Sequence, residues 1–483
     1  MTRQRGSSFG FAFVLALAAP HAAPVAAEAR PNIVLVIADD WSYPHAGVYG
    51  DRVVQTPNFD RVAREGVLFT RSYCVSPSCT PSRGALLTGQ AVHRLENGGN
   101  LWSVLPQKFA TYPELLEAAG YAVGLTGKGW GPGTLAGTGR TRNPAGPNVR
   151  DFAAFLKAVP KGKPFCYWYG SQDPHRPYDP GSGARAGLDP AAVTVPPFLP
   201  DTPEVRADLL DYAFEVERFD RAVGTILQAL DDAGLAEDTL VVVTSDNGMP
   251  FPRCKANLYD SGTHMPLALR WPRRLTRGVT VNAFVSLTDL APTFLKAAGL
   301  EPPAVMTGRD LLPLALGGPD PPAGPPRDAV FLERERHANV RAGNLSYPSR
   351  AIRTARYLYV RNLRPDRWPA GDPVLVHSVG PYGDVDPSPT KDLSRAHPGA
   401  RPFELAFGKR PAEELYDLDV DPSQIKNVAQ VATYATAKTA LRARLDQWMA
   451  ETGDPLAHDP HPDGREPFDD YPYVGPPLAA ERR

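Results

Sequence analysis

Asn32-Ile33-Val34-Leu35-Val36-Ile37-Ala38-Asp39-Asp40 is the stretch from which the fold can be read. An apolar run with this many β-branched side chains suits a central parallel strand, buried on both faces. Two carboxylates follow at its C-terminal end, where open α/β sheets collect their ligands. The strand is therefore expected to deliver chemistry as well as core.

Working outward, the same arrangement recurs. Ala122 to Thr126 reads as a strand ahead of Lys128, and Phe165 to Gly170 as one ahead of Asp173-Pro174-His175. Thr239 to Thr244 is a further buried strand, and it leads into Ser245-Asp246-Asn247-Gly248. Helical stretches lie between these runs. Thr56 and Pro57 open one and Gly66 closes it. Thr111 and Glu114 have capping-box spacing, and a long amphipathic stretch runs from Pro203 to Ala233. Such alternation predicts an α/β fold: a large doubly wound, mixed or parallel sheet with helices on both faces.

The signals change after Gly317 to Pro326, which is rich in proline and glycine. Ala329 to Leu332, Ser349 to Arg353, Tyr357 to Arg361 and Glu414 to Leu418 read as short strands, with a helix from about Thr433 to Thr452. A smaller α+β domain with an antiparallel sheet is expected there. The domain reading is thus 30–318 for the α/β unit and 327–483 for the smaller one, after a leader at 1–29. Arg3 and Arg5, the apolar run Phe11 to Ala19 and the small residues Val25-Ala26-Ala27 suit an export signal cleaved after Ala27 or Ala29. The expected location is the periplasm or the exterior, without stable membrane insertion.

Composition narrows the partners. The 483 residues hold 52 Lys and Arg against 53 Asp and Glu, a net charge of −1. No basic field covers the chain, which argues against nucleic acid. An anionic substrate must be met by local cations. Four cysteines, Cys74, Cys79, Cys166 and Cys254, are too few for a disulfide framework.

One cysteine stands in a distinctive place. Cys79-Thr80-Pro81-Ser82-Arg83 opens a short helix: Pro81 suits the first turn and Gly89 can end it. A helix start offers free N–H groups and partial positive charge, and Arg83 adds a cation one turn on. Asp39, Asp40, Asp246 and the Asn247 amide oxygen make a hard-oxygen set suited to Ca²⁺ or Mg²⁺, without any zinc-like His/Cys cluster. Each group alone has an ordinary reading as a cap, turn or surface charge. Together, at the ends of strands that one sheet would align, they point to an anion-handling metal site.

Cys-x-Pro-Ser-Arg, the Asp-Asp strand end, Gly127-Lys128, Asp173-Pro174-His175 and Ser245 to Gly248 resemble the formylglycine-dependent sulfatases of the alkaline phosphatase-like superfamily. The likeness is greatest to the sulfamidase branch, the heparan N-sulfatases, through Asp246 to Pro252, Asn257-Leu258-Tyr259, Ser346 to Arg350 and Glu414 to Asp417. The resemblance implies hydrolysis of sulfate from sulfated carbohydrate, N-sulfoglucosamine of heparan-type glycans being one such substrate. It implies that a maturation enzyme converts Cys79 to formylglycine, whose hydrate attacks sulfur. One Ca²⁺ would be held by Asp39, Asp40, Asp246, Asn247 and modified Cys79. Arg83, Lys128 and Lys255 would neutralise sulfate oxygens, and His175 would serve the leaving atom. A homodimer is compatible with it. The family's usual histidine two residues after the Gly-Lys lysine is Trp130 here. Sugar-reading residues are sought in the smaller domain at His337, Arg341, Tyr347, Arg350, Asp366 and Arg367. Two other readings stand beside this one. The first is a phosphomonoester or phosphodiester hydrolase of the same superfamily; the second is a non-catalytic protein that binds sulfated glycans with Cys79 unmodified.

Overall fold

A computed structural model of the chain describes residues 30–318, 326–374, 380–457 and 466–475, together with residues 1, 2, 4, 6, 7 and 10. The export-signal reading and residues 319–325 of the expected domain boundary lie outside the described residues.

The strand quoted first is β1, Asn32–Ala38, and every residue in it is buried. It is followed in the chain by β2 (Val67–Tyr73), β3 (Ala122–Gly127), β4 (Phe165–Gly170), β5 (Thr239–Ser245), β6 (His264–Arg270), β7 (Val279–Val281) and β8 (Val285–Ser286). These form one sheet in the order β3-β4-β1-β5-β6-β2-β7, with β8 paired to β2. β1 lies parallel between β4 and β5, and β3 runs parallel to β4. The alternation of β1 explains its position. Ile33, Leu35 and Ile37 pack on one face with Leu86, Leu290 and Phe294, while Val34 and Val36 pack on the other with Phe59, Leu210 and Phe219. Each buried aliphatic contributes about 1.5–3 kcal/mol, so a strand sealed on both faces anchors the sheet.

β6 is among none of the runs read as strands above, and Pro266 within it argues against a central position. It runs antiparallel to both β5 and β2. Pro266 falls opposite the register shift between Phe69 and Ser72 of β2, where a missing N–H costs no ladder bond.

A second, four-stranded antiparallel sheet has the order β12-β11-β10-β9, from β9 (Ala329–Arg334), β10 (Ser349–Thr354), β11 (Tyr357–Asn362) and β12 (Glu413–Asp417). The helix Ala435–Thr452 covers one face of it through Leu441, Leu445 and Met449. The sheets meet where Glu333 N–H donates to the Val75 carbonyl at 2.8 Å.

Candidate active site

Register brings the strand exits into a row. Gly127 pairs with Gly170, Gly170 with Ile37, and Ile37 with Thr244. Lys128, Asp39 and Asp246 therefore emerge side by side from β3, β1 and β5, with His175 beyond β4. The Lys128 backbone is clamped: its N–H donates to the Gly170 carbonyl at 2.8 Å, and the Lys128 carbonyl accepts from the Trp168 indole at 3.0 Å. A Cβ on Gly170 would lie 1.7 Å from that carbonyl oxygen, so only glycine permits the approach. Asp40 adopts φ 77°, a left-handed turn that an aspartate tolerates better than most residues.

The helix Cys79–Thr88 brings the cysteine to this row. Ser78 is its extended N-cap, and Gly89 ends it at φ 66°. Cys79 Sγ donates to Asp39 Oδ1 at 3.4 Å, while Lys128 Nζ lies 2.6 Å from Asp39 Oδ2. Lys255 Nζ donates to Asp40 Oδ2 at 2.8 Å. His175 Nδ1 sits 2.5 Å from the Arg176 carbonyl, which assigns the proton to Nδ1 and leaves Nε2 facing Asp40 Oδ2 at 3.8 Å. Behind the histidine, Asp208 grips Arg176 with two bonds of 2.7 Å.

Arg83 behaves differently from the expectation that it meets sulfate. Its guanidinium is fully buried and donates to Asp246 Oδ2 at 2.7 Å, to the Lys128 and Gly129 carbonyls, and to the Ala38 carbonyl. All of its reach is used within the protein, so it fixes Asp246 and the Lys128 backbone in place. The cations that face the cleft are Lys128 and Lys255, with the His175 ring beside them.

Burial works against the charge on Asp39, but Lys128, His175, Arg83 and Lys255 outweigh it and hold the carboxyl well below the usual range. Burial pushes Asp246 up, Arg83 opposing and Asp39 adding to the rise. Burial also lifts the Cys79 thiol well above its ordinary value, with Asp39 adding and Lys128 and Lys255 opposing. A thiol so placed stays protonated and is a poor nucleophile as it stands.

The donors suit a hard dication. Asp39, Cys79 and Asp246 each offer an atom within 4.8 Å of the others. Asn247 gives its amide N–H to Asp40 Oδ1 at 2.7 Å, so its own Oδ1 is left buried without a hydrogen-bond partner among the described residues. An orphaned carbonyl oxygen beside crowded carboxylates is what a bound Ca²⁺ would satisfy.

Trp130, where the family's histidine is expected, is buried against Gly84 and Gly133, and its indole N–H has no hydrogen-bond partner among the described residues. All four cysteines are buried free thiols.

The residues sought as sugar readers are scattered. His337 comes closest, its Nδ1 2.8 Å from the Ser78 hydroxyl just ahead of Cys79. The others do not join the cleft. Arg350 is enclosed by Glu335 at 2.6 Å and Asp454 at 2.5 Å, and Arg341 donates to Asp384 at 2.5 Å. Arg367 pairs with Asp469 at 3.0 Å, Tyr347 is buried beside Arg334 and Arg341, and Asp366 is exposed. The arginines serve as internal struts, because a buried guanidinium keeps its charge only with partners.

Sequence reading missed Asp386. It lies 3.3 Å from Lys255 Nζ and groups with Asp40 and His175. Burial opposes its charge, but Lys255, His175 and His337 hold the carboxyl down at about 2. Asp384-Val385-Asp386 belongs to no motif read above; only its acidic pair ahead of the Ser388-Pro389 helix start could have drawn attention.

Comparison with known proteins follows the same lines. The family model described as Sulfatase matches residues 31–134 and 146–300, and the one described as N-sulphoglucosamine sulphohydrolase, C-terminal, matches 254–370. Human (Homo sapiens) N-sulphoglucosamine sulphohydrolase is 32% identical over 485 residues, spanning 89% of this chain and 92% of that protein. An ulvan-active sulfatase of Formosa agariphila is 27% identical over 481 residues, spanning 88% and 76%. A solved structure of a protein in complex with its substrate D-glucosamine-2-N,6-O-disulfate shares the fold. Its TM-score is 0.62 at 21% identity, covering 89% of this chain and 99% of that one.

Proposed function

This chain belongs to the sulfatase family, and from that premise we propose that it releases sulfate from sulfated carbohydrate, N-sulfoglucosamine of heparan-type glycans first, with Cys79 oxidised to formylglycine. The observation that carries this reading is Cys79 on Asp39, with Lys128 on the other oxygen of the same carboxylate. Nucleophile position, metal-ligand position and sulfate cation are thus one contact apart. The protonated, buried thiol supports a need for modification before any attack.

Asp39, Asp40, Asp246 and Asn247 would hold one Ca²⁺, which supplies Lewis-acid polarisation of a sulfate oxygen and of the nucleophile. Lys128 and Lys255 take the charge that gathers on the non-bridging oxygens, as donors held in place by Asp39 and Asp40. Arg83 keeps Asp246 and Lys128 in register and does not touch the substrate. His175, with its Nδ1 proton held on the Arg176 carbonyl, turns Nε2 to the leaving oxygen or nitrogen, and the doubly protonated ring gives its Nε2 proton to that atom and returns to the neutral Nδ1–H form. His337 stands beside Ser78 and supports the start of the nucleophile helix. The leader-like beginning of the chain supports export before the enzyme acts.

Co-expression with a formylglycine-generating enzyme tests the reading. Peptide mass spectrometry should show a loss of about 18 Da at Cys79, aldehyde oxygen replacing thiol sulfur and two hydrogens. The matured protein should then release sulfate from glucosamine N-sulfate and from aryl sulfates. Fully matured protein that releases none, yet binds sulfated oligosaccharide, would point to a glycan-binding protein.

A further inference from the structure

Asp386 stands at the mouth of the cluster without belonging to any part of it already assigned. Lys255 Nζ is shared between Asp40, 2.8 Å away, and Asp386, 3.3 Å away. The Asp40 side chain has no exposure, whereas that of Asp386 is 26% exposed. Asp386 is therefore the carboxylate that an incoming anion meets first at the Lys255 end. His175 belongs to the same group of ligand atoms, so the carboxylate lies beside both a sulfate cation and the leaving-group histidine.

The segment that carries it is built to stay in place. Asp384 accepts from Arg334 at 2.7 Å, from Arg341 at 2.5 Å and from Ala338 N–H at 3.0 Å. Lys391 Nζ donates to the Val385 carbonyl at 2.6 Å, and Ser388 caps the helix Pro389–Arg395 by accepting from Lys391 N–H. At the second residue of that helix, the Thr390 hydroxyl donates to Asp208 at 2.5 Å, on the carboxylate that also grips Arg176. A negative charge anchored on both sides cannot swing away when a ligand arrives.

Resting on the sulfatase reading, we propose that Asp386 is a charge filter. Its fixed carboxylate beside Lys255 admits the singly charged sulfate ester or sulfamate and turns away the doubly charged phosphate monoester. A phosphate monoester has a second pKa near 6, so it carries close to two charges at neutral pH. The two groups are otherwise alike in shape, and Lys128, Lys255 and a dication would favour the more highly charged one. Every ligand charge is repelled by Asp386, so the dianion loses about twice as much as the monoanion. The carboxylate also satisfies one side of the Lys255 ammonium, so less of its field is left for a second negative charge.

The test compares the protein with Asp386→Asn and Asp386→Glu after maturation. The readouts are the ratio of kcat/KM for p-nitrophenyl phosphate over p-nitrophenyl sulfate, and inhibition by inorganic phosphate at mildly alkaline pH. In Asp386→Asn the ratio should rise by about tenfold or more, and phosphate should inhibit more tightly by a similar factor. Asp386→Glu should keep the ratio near that of the unaltered protein. A ratio and an inhibition constant within about twofold in folded Asp386→Asn would overturn the proposal. Should that variant lose turnover, calorimetric titration of the unmatured proteins with methyl phosphate, a dianion at mildly alkaline pH, and with methyl sulfate, a monoanion, reads the same preference. Tighter phosphate binding supports the filter and unchanged binding overturns it. Unaltered matured protein that cleaves no sulfate ester would instead overturn the sulfatase reading, and the calorimetric comparison would still decide on Asp386.

Discussion

Single side chains divide into those that face the cleft and those that hold them there. Lys128 belongs to the first group: it is 18% exposed and paired with Asp39 on one side only. Lys128→Ala should lower kcat/KM for p-nitrophenyl sulfate by about a hundredfold to a thousandfold, the usual loss for one fixed donor to a developing oxyanion. A loss under about tenfold would remove it from the transition state. Arg83 belongs to the second group. Arg83→Ala leaves Asp246 buried without its cation and should cost about 3–5 kcal/mol of stability, measured by urea unfolding. If stability stays within about 1 kcal/mol, Asp246 has another compensating partner and Arg83 is no strut.

Secondary-structure elements set the rows in which these side chains stand. β1 could be read without the structure because a strand sealed on both faces must be apolar throughout, and its two aspartates then fall at its end. β6 could not, because its proline is tolerated only where β2 shifts register, and that is a property of the neighbouring strand. The first residue of β6, His264, carries a testable signature. Its ring stacks on Tyr43 at 3.9 Å and Tyr73 at 4.6 Å, and Nε2 lies 2.9 Å from the Thr70 carbonyl. Burial pushes its pKa from 6.5 down to about 4; Asp260 opposes this and Arg353 adds to it. Between those values the unfolded chain binds a proton that the folded protein does not, so stability falls as pH drops. The full fall from this residue is about 3 kcal/mol. The difference in unfolding free energy between the unaltered protein and His264→Gln should shrink by that amount from neutral pH to pH about 4. A difference that stays constant across the window would mean the ring is charged or solvated.

At the scale of the molecule, the proposed metal-ligand positions come from opposite ends of the large-sheet chain segment, Asp39 and Asp40 after β1 and Asp246 and Asn247 after β5. A dication bound there would tie folding to its concentration. Calcium at about a hundred times its dissociation constant should raise stability by about 2.7 kcal/mol and raise Tm, and a chelator should reverse this. Asn247→Ala should weaken the calcium-dependent shift in Tm, since it removes the buried oxygen that has no other hydrogen-bond partner among the described residues. An identical shift in that variant would exclude Asn247 as a ligand. We further propose that 30–318 and 327–483 act as separate domains, with the second contributing Asp386 and His337 to the rim of the first.

The residues Asp39, Asp40, Cys79, Lys128, His175, Asp246 and Asn247 were legible because strand exits and helix starts are local features, and a parallel sheet aligns them automatically. Lys255 was legible only through the family resemblance, as the lysine shortly after Asp246-Asn247-Gly248. Charge alone misled at Arg83, Arg341, Arg350 and Arg367. Whether an arginine reaches substrate depends on whether a carboxylate elsewhere claims it, and Arg350 is claimed by Asp454, 104 positions away. Asp386 was invisible for the converse reason. Its neighbours in sequence mark only a loop before a helix, and it becomes part of the cleft through Lys255, 131 positions earlier. Local patterning fixed what each strand delivers; only the packing of distant segments decided which charges were spent inside the protein and which were left facing the cleft.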